Sequence, residues 1–462
     1  MAYQLRQYQK EAVDAGIQFL LSKRKRNGII VAPTGCGKSI LIAEIAKALD
    51  GPCLVFQPSK EILEQNLQKF QSYGYRPAVY SASMNRKSVG EITLATIGSV
   101  AGNKARESKA HLFQDFPYVI VDECDLVGAK KGQYKDFFEA LDVKILGLTA
   151  TPYRLSNDMN GAILKWLTRT RPKIFHEVVY YIQTGDLFDE GYLARPVYKH
   201  WPAFNRHAVK ANSTGADFDD RQLQLYFANT NFQGKVVKGC EALIEMGRKS
   251  LLVFTRFIPE AEYVVSRIPG AALVTSETRK EERSAIIAEF RKGRIPVVAN
   301  VNCLAVGFDY PELDTAVIAR PTKSLRLWYQ MGGRVVRPFP GKEPWIVDMV
   351  GLTQEFGKIE DLKIVDGGNG KWFIENTERQ LTNVYLSSEG ASRCHECGAE
   401  VGFWMRHCDT GNRAPLQRPA VGQQGNINLV RRDGKTYYTV VKAGEGEFVH
   451  HAAVCQRRRA VV

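Results

Sequence analysis

A glycine-rich segment, APTGCGKS at residues 32–39, is the feature that most constrains how this chain folds. It follows the apolar run GIIV and precedes KSILIAEIAKALD, whose apolar residues recur at helical spacing. Such a loop between a strand and a helix is typical of phosphate binding, because backbone N–H groups and the helix N-terminus surround phosphate oxygens. A chance glycine-rich turn is the alternative, which the GKS sequence disfavours. The predicted phosphate-binding residues are Thr34, Gly35, Cys36, Gly37, Lys38 and Ser39.

Two side chains of this loop and an acidic pair downstream predict a nucleotide site with Mg²⁺. We expect Lys38 to reach the β- and γ-phosphates and the Ser39 hydroxyl to bind the metal. Asp122 and Glu123 end the apolar run YVIV, and a carboxylate at the carboxyl end of a parallel strand points into the usual ligand crevice. Asp122 is expected to hold Mg²⁺ through water, and Glu123 to orient and deprotonate an attacking water. A solvated acidic turn is the alternative.

Short apolar runs alternate with amphipathic runs in two parts of the chain. The predicted strands are NGIIVAP, PCLVFQP, EITLAT, FPYVIVDE and VKILGLTAT in the first part, and SLLVFT, AALVTS, IPVVANV, DTAVIAR and PWIVDM in the second. Strands with little polar alternation are typical of parallel sheets covered on both faces, so the fold class is α/β with two such domains. The predicted division is a first domain at 1–195, a linker at 196–232, a second domain at 233–380 and a basic Cys/His-containing segment at 381–462.

The charge and composition of the chain indicate which kinds of partner and which compartment to expect. The net charge is +14, which favours a polyanionic partner once a nucleotide site is present. No apolar run is long enough to span a bilayer, and the polar start MAYQLRQYQKEAV does not resemble a signal peptide. Nine scattered cysteines fit a reducing compartment better than a disulfide framework. We therefore expect a cytoplasmic protein, of a bacterium or a phage-infected cell, without a membrane partner.

Six motifs in order carry a family resemblance. LRQYQKEAV is followed by APTGCGKS, DECD, TATP, VGFDYP and QMGGRVVR. Over about the first 380 residues the chain resembles superfamily 2 helicases, of the group that includes type III restriction motor subunits and branch-migrating DNA helicases. The resemblance implies two tandem RecA-like domains that hydrolyse ATP in the cleft between them.

The resemblance also assigns roles to residues outside the phosphate loop. Arg6 and Gln9 would read adenine, Thr149 and Thr151 would couple the ATP state to domain closure, and Gly307 and Asp309 match the G-x-D-x-P motif. The second domain would complete the site with Gln330, Arg334 and Arg337. The two arginines are three residues apart, so on a helix they would share one face. An arginine finger contributes roughly 10³–10⁵ in rate; two surface arginines on an amphipathic helix are the alternative.

Family analogy places nucleic acid across both domains, on the side away from ATP. Hydroxyls and helix N-termini at strand ends would contact phosphates without reading bases, and ordinary helix caps are the alternative for each. The sequence departs from the family at Asn300-Val301-Asn302, where many relatives carry a threonine. The predicted contact residues are Pro58, Ser59, Lys60, Thr96, Gly98, Ser99, Thr255 and Arg256.

A Cys/His pattern near the C-terminus resembles the zinc ribbon that ends related helicases. Cys394 and Cys397 form a C-x-x-C-G knuckle, and Cys408 follows as a third ligand. The second knuckle lacks its last cysteine, so Cys455, His450 or His451 would have to complete the site. A ribbon that has lost its metal is the alternative.

These features predict an ATP-dependent DNA helicase or translocase that acts in replication, recombination or repair. ATP and Mg²⁺ are the expected cofactors, with Zn²⁺ as a candidate third. DNA, whether single-stranded, duplex or branched, is the expected partner, together with replication or recombination proteins. An RNA helicase, a restriction motor subunit that needs a partner chain, and an ATP-switched clamp that does not separate strands are the alternatives.

Overall fold

The computed structural model describes residues 4–24, 26–102, 108–128, 132–141, 143–158, 161–304, 310–368 and 370–383, and four short strands between 392 and 438. The chain divides into two compact units. The larger comprises 1–156 and 163–384 and contains two α/β domains; the smaller comprises 157–162 and 385–462. The candidate site lies entirely in the larger unit.

The first domain is built on an eight-stranded sheet of order β10-β1-β7-β6-β2-β5-β3-β4. Neighbouring strands are parallel except β3 and β4, and β1 and β2 are buried along their whole length, as their uninterrupted apolar runs predict. The strands of the sheet are β1 (Gly28–Val31), β2 (Cys53–Gln57), β3 (Ala78–Ser81), β4 (Arg86–Lys87), β5 (Ile92–Thr96), β6 (Tyr118–Asp122), β7 (Lys144–Thr149) and β10 (Glu177–Tyr181). Outside this sheet, β8 (Tyr153–Asp158) and β9 (Gly161–Trp166) pair with each other.

Helices connect these parallel strands. Helix α3 begins after Ser59, whose Oγ accepts a hydrogen bond from the backbone N–H of Ile62 at 3.3 Å, so Ser59 is the N-cap of this helix. Helices α1 and α2 pack closely because residue 16 is glycine: a Cβ there would lie 2.7 Å from Cδ1 of Ile45. The helices are α1 (Gln7–Leu21), α2 (Lys38–Ala48), α3 (Lys60–Ser72), α4 (Ile97–Ala101), α5 (Gln133–Ala140) and α6 (Thr184–Asp189).

The second domain has a six-stranded, wholly parallel sheet of order β11-β16-β15-β12-β14-β13. All five strands predicted for this domain are present. Its strands are β11 (Val197–His200), β12 (Leu251–Thr255), β13 (Ala272–Val274), β14 (Val297–Asn300), β15 (Thr315–Ala319) and β16 (Trp345–Asp348). Its helices are α7 (Asp220–Thr230), α8 (Phe232–Glu245), α9 (Ile258–Arg267), α10 (Lys280–Arg291), α11 (Leu325–Gly332) and α12 (Leu352–Phe356).

The predicted linker, 196–232, is part of the second domain. Its strand β11 pairs with β16, from Val197 opposite Trp345 to His200 opposite Asp348. Its pattern gave no strand signal because β11 is a four-residue edge strand, only partly buried and half polar. The connection between the two sheets is therefore shorter and earlier, at 182–196, and it contains α6.

After the second domain the chain returns to the first. Strands β17 (Lys363–Asp366) and β18 (Trp372–Glu375) form an antiparallel pair, and we call residues 363–383 the return hairpin. The Gln183 amide bonds the backbone of Ile364 twice: Nε2 donates to the carbonyl at 2.7 Å, and Oε1 accepts from the N–H at 2.9 Å. The Trp372 ring lies 5.1 Å from Tyr181 and 6.4 Å from Trp166 between centroids. The polypeptide thus crosses between the domains twice, side by side.

In the smaller unit the described elements are short strands. They are β19 (Ser392–Arg393), β20 (Glu400–Val401), β21 (Leu429–Arg432) and β22 (Lys435–Tyr438). Cys394, Cys397 and Cys408 lie outside the described residues, so zinc binding stays a prediction. Among the residues that are described, no cluster of His, Cys, Asp and Glu could hold a metal, and no helix is long and apolar enough to cross a membrane.

We predict that Trp372→Ala releases the return hairpin from the first domain. The substitution removes two aromatic contacts, each of which contributes about 0.5–1.5 kcal/mol beyond its buried area. Hydrogen exchange should accelerate at the amides of Ile364 and Asn383 while the central strand β12 keeps its protection. Lys371→Ala, an exposed change on the same hairpin, is the control. Unchanged exchange at Ile364 in the tryptophan variant would contradict the packing described.

Candidate functional site

The glycine-rich loop has the backbone that its sequence predicts. It joins β1 to α2, which begins at Lys38. Gly35 and Gly37 have φ of +99° and +91°, a region that residues with a Cβ rarely adopt. A Cβ at Gly37 would also lie 2.8 Å from Nε2 of Gln9. The loop therefore requires glycine at both positions, and its C-terminal end is a helix N-terminus suited to an anion.

The loop lysine and the acidic pair meet at the carboxyl ends of the strands. Lys38 Nζ lies 2.7 Å from Glu123 Oε1, and both side chains are largely buried. Asp122 Oδ1 accepts a hydrogen bond from the backbone N–H of Glu123 at 3.0 Å. Glu123 itself is in the left-handed region, with φ of 50°. The other carboxylate oxygen, Oε2, is buried without a hydrogen-bond partner in the described part of the chain.

Burial and charge oppose each other in this cluster. Burial alone would lower the pKa of Lys38, but the charges of Glu123 and Asp122 outweigh it and raise that pKa. Burial would raise the pKa of Glu123, yet Lys38 holds it below its usual value. Burial and the adjacent Glu123 raise the pKa of Asp122. An added cation would therefore stabilise the charged form of Asp122, which fits a Mg²⁺ ligand.

Ser39 and Asp122, the two predicted Mg²⁺ ligands, are joined by a residue that sequence reasoning missed. Ser39 Oγ donates to Asn66 Oδ1 at 2.6 Å. Asn66 Nδ2 donates to Asp122 Oδ2 at 3.2 Å and to Gln57 Oε1 at 2.6 Å. A single asparagine within a helical pattern carries no sequence signal, because most such residues face solvent.

Helix α1 contacts the phosphate loop through hydrogen bonds from two of its side chains. Gln9 is buried, and its Nε2 donates to the carbonyl of Cys36 at 2.9 Å. Tyr8 Oη donates to the same carbonyl at 3.0 Å. The Arg6 guanidinium lies 4.1 Å above the ring of Tyr192, which comes from the connection between the domains. Gln9 thus contacts the loop and Arg6 lies beside it, adenine reading by both stays a prediction, and the two tyrosines are additions.

The second domain closes over the loop through the turn after α11. A Cβ at Gly35 would lie 2.5 Å from Nη1 of Arg337 and 2.6 Å from Cδ2 of Leu193. A Cβ at Gly333 would lie 3.2 Å from Cβ of Thr34. The positive charge of Arg334 helps to lower the pKa of Glu123. Both predicted arginines are therefore at the cleft, on the side opposite the lysine-bearing domain.

The two arginines do not lie on a helix. Helix α11 ends at Gly332, and the Arg334 N–H turns back to the Met331 carbonyl at 3.2 Å. Two consecutive glycines disfavour helix, and Pro338 disfavours helical backbone at the residue before it. The arginines reach the cleft from a turn, not from one helix face. Gln330 lies within α11, buried, and its carbonyl accepts from Arg334 Nε at 3.2 Å.

Asp125, the last residue of DECD, forms a link between the domains that the motif alone did not predict. Arg326 of α11 lies with Nε 2.8 Å from Asp125 Oδ2, and that carboxylate is almost fully buried. Thr149 Oγ1 donates to Asp125 Oδ1 at 2.8 Å, and the Thr151 N–H donates to Thr149 Oγ1 at 3.0 Å. The two threonines predicted to couple ATP state to closure are thus connected to the second domain through one buried ion pair.

The residues of the first domain that are predicted to contact nucleic acid lie around a turn at 82–84. Lys60 Nζ donates to the carbonyl of Ser83, and the Ala82 N–H donates to Ser99 Oγ at 2.9 Å. Ser99 Oγ is 2.8 Å from Thr96 Oγ1. Pro58 and Ser59 precede Lys60, and Gly98 lies in α4 beside Ser99. The structure brings these residues together, and their contact with nucleic acid stays a prediction.

The two second-domain candidates have other partners in this structure. Thr255 is buried, with its hydroxyl 3.3 Å from the Asn300 carbonyl. Arg256 forms ion pairs with Asp217 at 2.6 Å and with Asp220 at 2.7 Å. These carboxylates belong to the predicted linker, 196–232, and to no sequence motif, so the motifs do not predict this pairing. Gly307 and Asp309 lie outside the described residues.

Comparison with known families matches both domains. Residues 2–154 match the family described as "Type III restriction enzyme, res subunit", and residues 235–338 match "Helicase conserved C-terminal domain". The first match contains the phosphate loop and the acidic pair, and the second contains both arginines.

Individual relatives cover most of the chain at low identity. A 51.5 kDa protein of a Lactococcus phage (isolate 7-9) is 25% identical over 339 residues, which span 70% of this chain and 65% of that protein. The "DNA 3'-5' translocase XPB2" of Sulfurisphaera tokodaii is 24% identical over 75% of this chain and 81% of its own length. The chain thus spans just under two thirds of the phage relative.

A solved structure shows the same fold. The "ATP-dependent Type ISP restriction-modification enzyme LlaBIII bound to DNA" aligns with 76% of this chain and 28% of its own, with a TM-score of 0.55 and 17% identity. The two parallel-sheet domains are tandem RecA-like domains. Both family matches, in this order along the sequence, and the motifs gathered in the cleft lead to one assignment: the chain belongs to the restriction-type group of superfamily 2 helicases.

Proposed function

We propose that this chain is an ATP-dependent DNA translocase or helicase that acts in replication, recombination or repair. The observation that carries the proposal is the position of Arg337, whose guanidinium lies against Gly35 of the phosphate loop from the opposite domain. Lys38 and Glu123 are paired in the same cleft at 2.7 Å. An ATP site that needs both domains is the arrangement by which hydrolysis becomes relative motion.

Each side chain of the phosphate loop and the acidic pair has its own proposed role in ATP hydrolysis. Bound MgATP would supply the electrophilic γ-phosphate and the metal charge that stabilises the departing diphosphate. Lys38 would bind phosphate charge, and Ser39 and Asp122 would hold the metal. Glu123 is kept ionised by Lys38 and has a buried Oε2 without a hydrogen-bond partner in the described residues, so it could orient a water and accept its proton.

Arg334 and Arg337 would offset the negative charge that develops between the domains during hydrolysis. Because they belong to the second domain, their contribution exists only when the cleft is closed. The Asp125–Arg326 ion pair crosses the same cleft. Thr149, the last residue of β7, donates a hydrogen bond to Asp125. Opening would expose both charges to water, so closure and the conformation of this cluster change together.

DNA is the nucleic acid along which the protein is proposed to move. The relative from Sulfurisphaera tokodaii is named a DNA 3'-5' translocase, and the restriction-modification enzyme of similar fold was solved bound to DNA. The net charge of +14 suits a polyanion. The Lys60, Thr96 and Ser99 cluster supplies hydroxyl and ammonium groups for phosphates and none of the paired donors and acceptors that read base edges, so little sequence preference is expected.

We predict that Glu123→Gln abolishes ATP turnover and retains nucleotide binding. The amide keeps the shape of the side chain but accepts no proton from water. Lys38→Ala should lower both binding and turnover, because the phosphates lose their ammonium partner. Steady-state hydrolysis and binding of a fluorescent ATP analogue measure the two effects. Normal turnover in the glutamine variant would remove Glu123 from its assigned role.

We predict that Arg337→Ala lowers the hydrolysis rate by roughly 10³–10⁵ and leaves ATP binding largely intact, because an arginine finger acts on the transition state. Single-turnover hydrolysis at saturating ATP is the measurement. Arg294→Ala is the matched control, since this arginine of the same domain is exposed and pairs with Glu289. Equal rates in the two variants would contradict the finger assignment.

The experiment that tests the whole proposal is ATP hydrolysis without nucleic acid and with single-stranded DNA, duplex DNA, branched DNA or RNA. We expect stimulation by DNA, because a strand bound across both domains favours closure. Stimulation should weaken steeply with added salt, since the contacts are to phosphates.

The hydrolysis rates with the different nucleic acids distinguish this proposal from the alternative functions. Stimulation by RNA alone would replace the DNA assignment with an RNA helicase. DNA stimulation without strand displacement or translocation would identify an ATP-switched clamp. Absence of stimulation by every nucleic acid would contradict a motor function for the chain by itself.

A further inference from the structure

Asn66 is a buried amide that joins functional side chains from three separate segments. It lies in the second turn of α3, with 5% of its surface exposed. Its Oδ1 accepts from Ser39 of the phosphate loop, and its Nδ2 donates to Asp122 at the end of β6 and to Gln57 at the end of β2. One side chain thus bridges the two predicted metal ligands.

The fold itself does not call for a polar residue at this position. Leu63, Leu67 and Phe70 are the other buried residues of α3, and all are apolar. A buried amide costs free energy unless its groups are hydrogen-bonded, and here both ends are bonded to the site. The energetic reason for an asparagine therefore lies in the phosphate loop and the acidic pair.

We propose that Asn66 is a positioning residue for the Mg²⁺ that accompanies ATP. It acts through Ser39 and Asp122, fixing the hydroxyl and the carboxylate at one spacing. Partners of this kind orient metal ligands, and their loss typically lowers metal affinity by about 10–100-fold. The proposal rests on the proposed function, because it requires that Mg²⁺ and a nucleotide bind at this loop.

An amide is suited to this position in a way that a carboxylate is not. One end must accept from the Ser39 hydroxyl, and the other must donate to the Asp122 carboxylate. A carboxylate at residue 66 would face Asp122 with like charge. Gln57 Oε1 accepts the second Nδ2 hydrogen at 2.6 Å, which fixes the orientation of the amide.

The position of Asn66 along α3 relates the metal site to the predicted DNA surface. The same helix begins after Ser59, and its first residue is Lys60.

The test measures binding of a fluorescent ADP analogue to the full chain, first in EDTA and then across a range of MgCl₂ concentrations. In Asn66→Leu we expect affinity in EDTA to stay near the wild-type value. The Mg²⁺ concentration for half-maximal enhancement should rise by about 10–100-fold. Asn66→Ser, which is small and polar but too short to span Ser39 and Asp122, should give the same result if the leucine variant folds poorly.

Leu63→Ala is the matched control, because this residue is buried on the same helix without a polar contact to the site. It should lower the thermal unfolding temperature but leave the Mg²⁺ dependence unchanged. An unchanged Mg²⁺ dependence in both Asn66 variants would overturn the positioning role and leave the proposed function standing. A wild-type protein whose nucleotide affinity ignores Mg²⁺, or that binds no nucleotide, would overturn both.

Discussion

Burial of charge in the cleft between the two domains is the constraint on which the rest of the structure depends. Lys38, Glu123 and Asp125 are held away from water, where an isolated charge is unstable. Each is tolerated because an opposite charge lies within 2.8 Å. For Asp125 that charge, on Arg326, comes from the other domain. Separation of the domains would therefore break this ion pair, so the closed cleft and the paired state of Asp125 occur together.

The core of the fold was accessible from the sequence because its signals are local. Uninterrupted apolar runs such as those of β1 and β12 are typical of strands covered on both faces, and the loop at 32–39 carries its glycines where the backbone needs them. The positions of Lys38, Glu123 and Arg337 followed from motifs whose spacing reflects one chemistry. The structure brings these three into one cleft.

What the sequence did not predict depends on contacts between distant segments. Strand β11 is short, half polar and at a sheet edge, so its pairing with β16 left no pattern. Helix α11 is shorter than the spacing of the two arginines suggests, because the Gly332-Gly333 pair disfavours helix and α11 ends at Gly332. Asn66 and Arg326 belong to helices but to none of the residues that the motifs single out. Their roles become visible only when Ser39, Asp122 and Asp125, each 27 or more positions away from its partner, are located.

The return hairpin changes what kind of joint connects the two domains. A single connecting strand bends and also twists about its own axis, so the second domain would approach the first in many orientations. Here the outgoing chain at Gln183 and the returning chain at Ile364 are hydrogen-bonded side by side. Two connecting segments that lie side by side bend readily in one plane but resist twisting. Each approach of the second domain would then follow nearly the same arc and return Arg337 to the same glycine, with no search over rotational orientations.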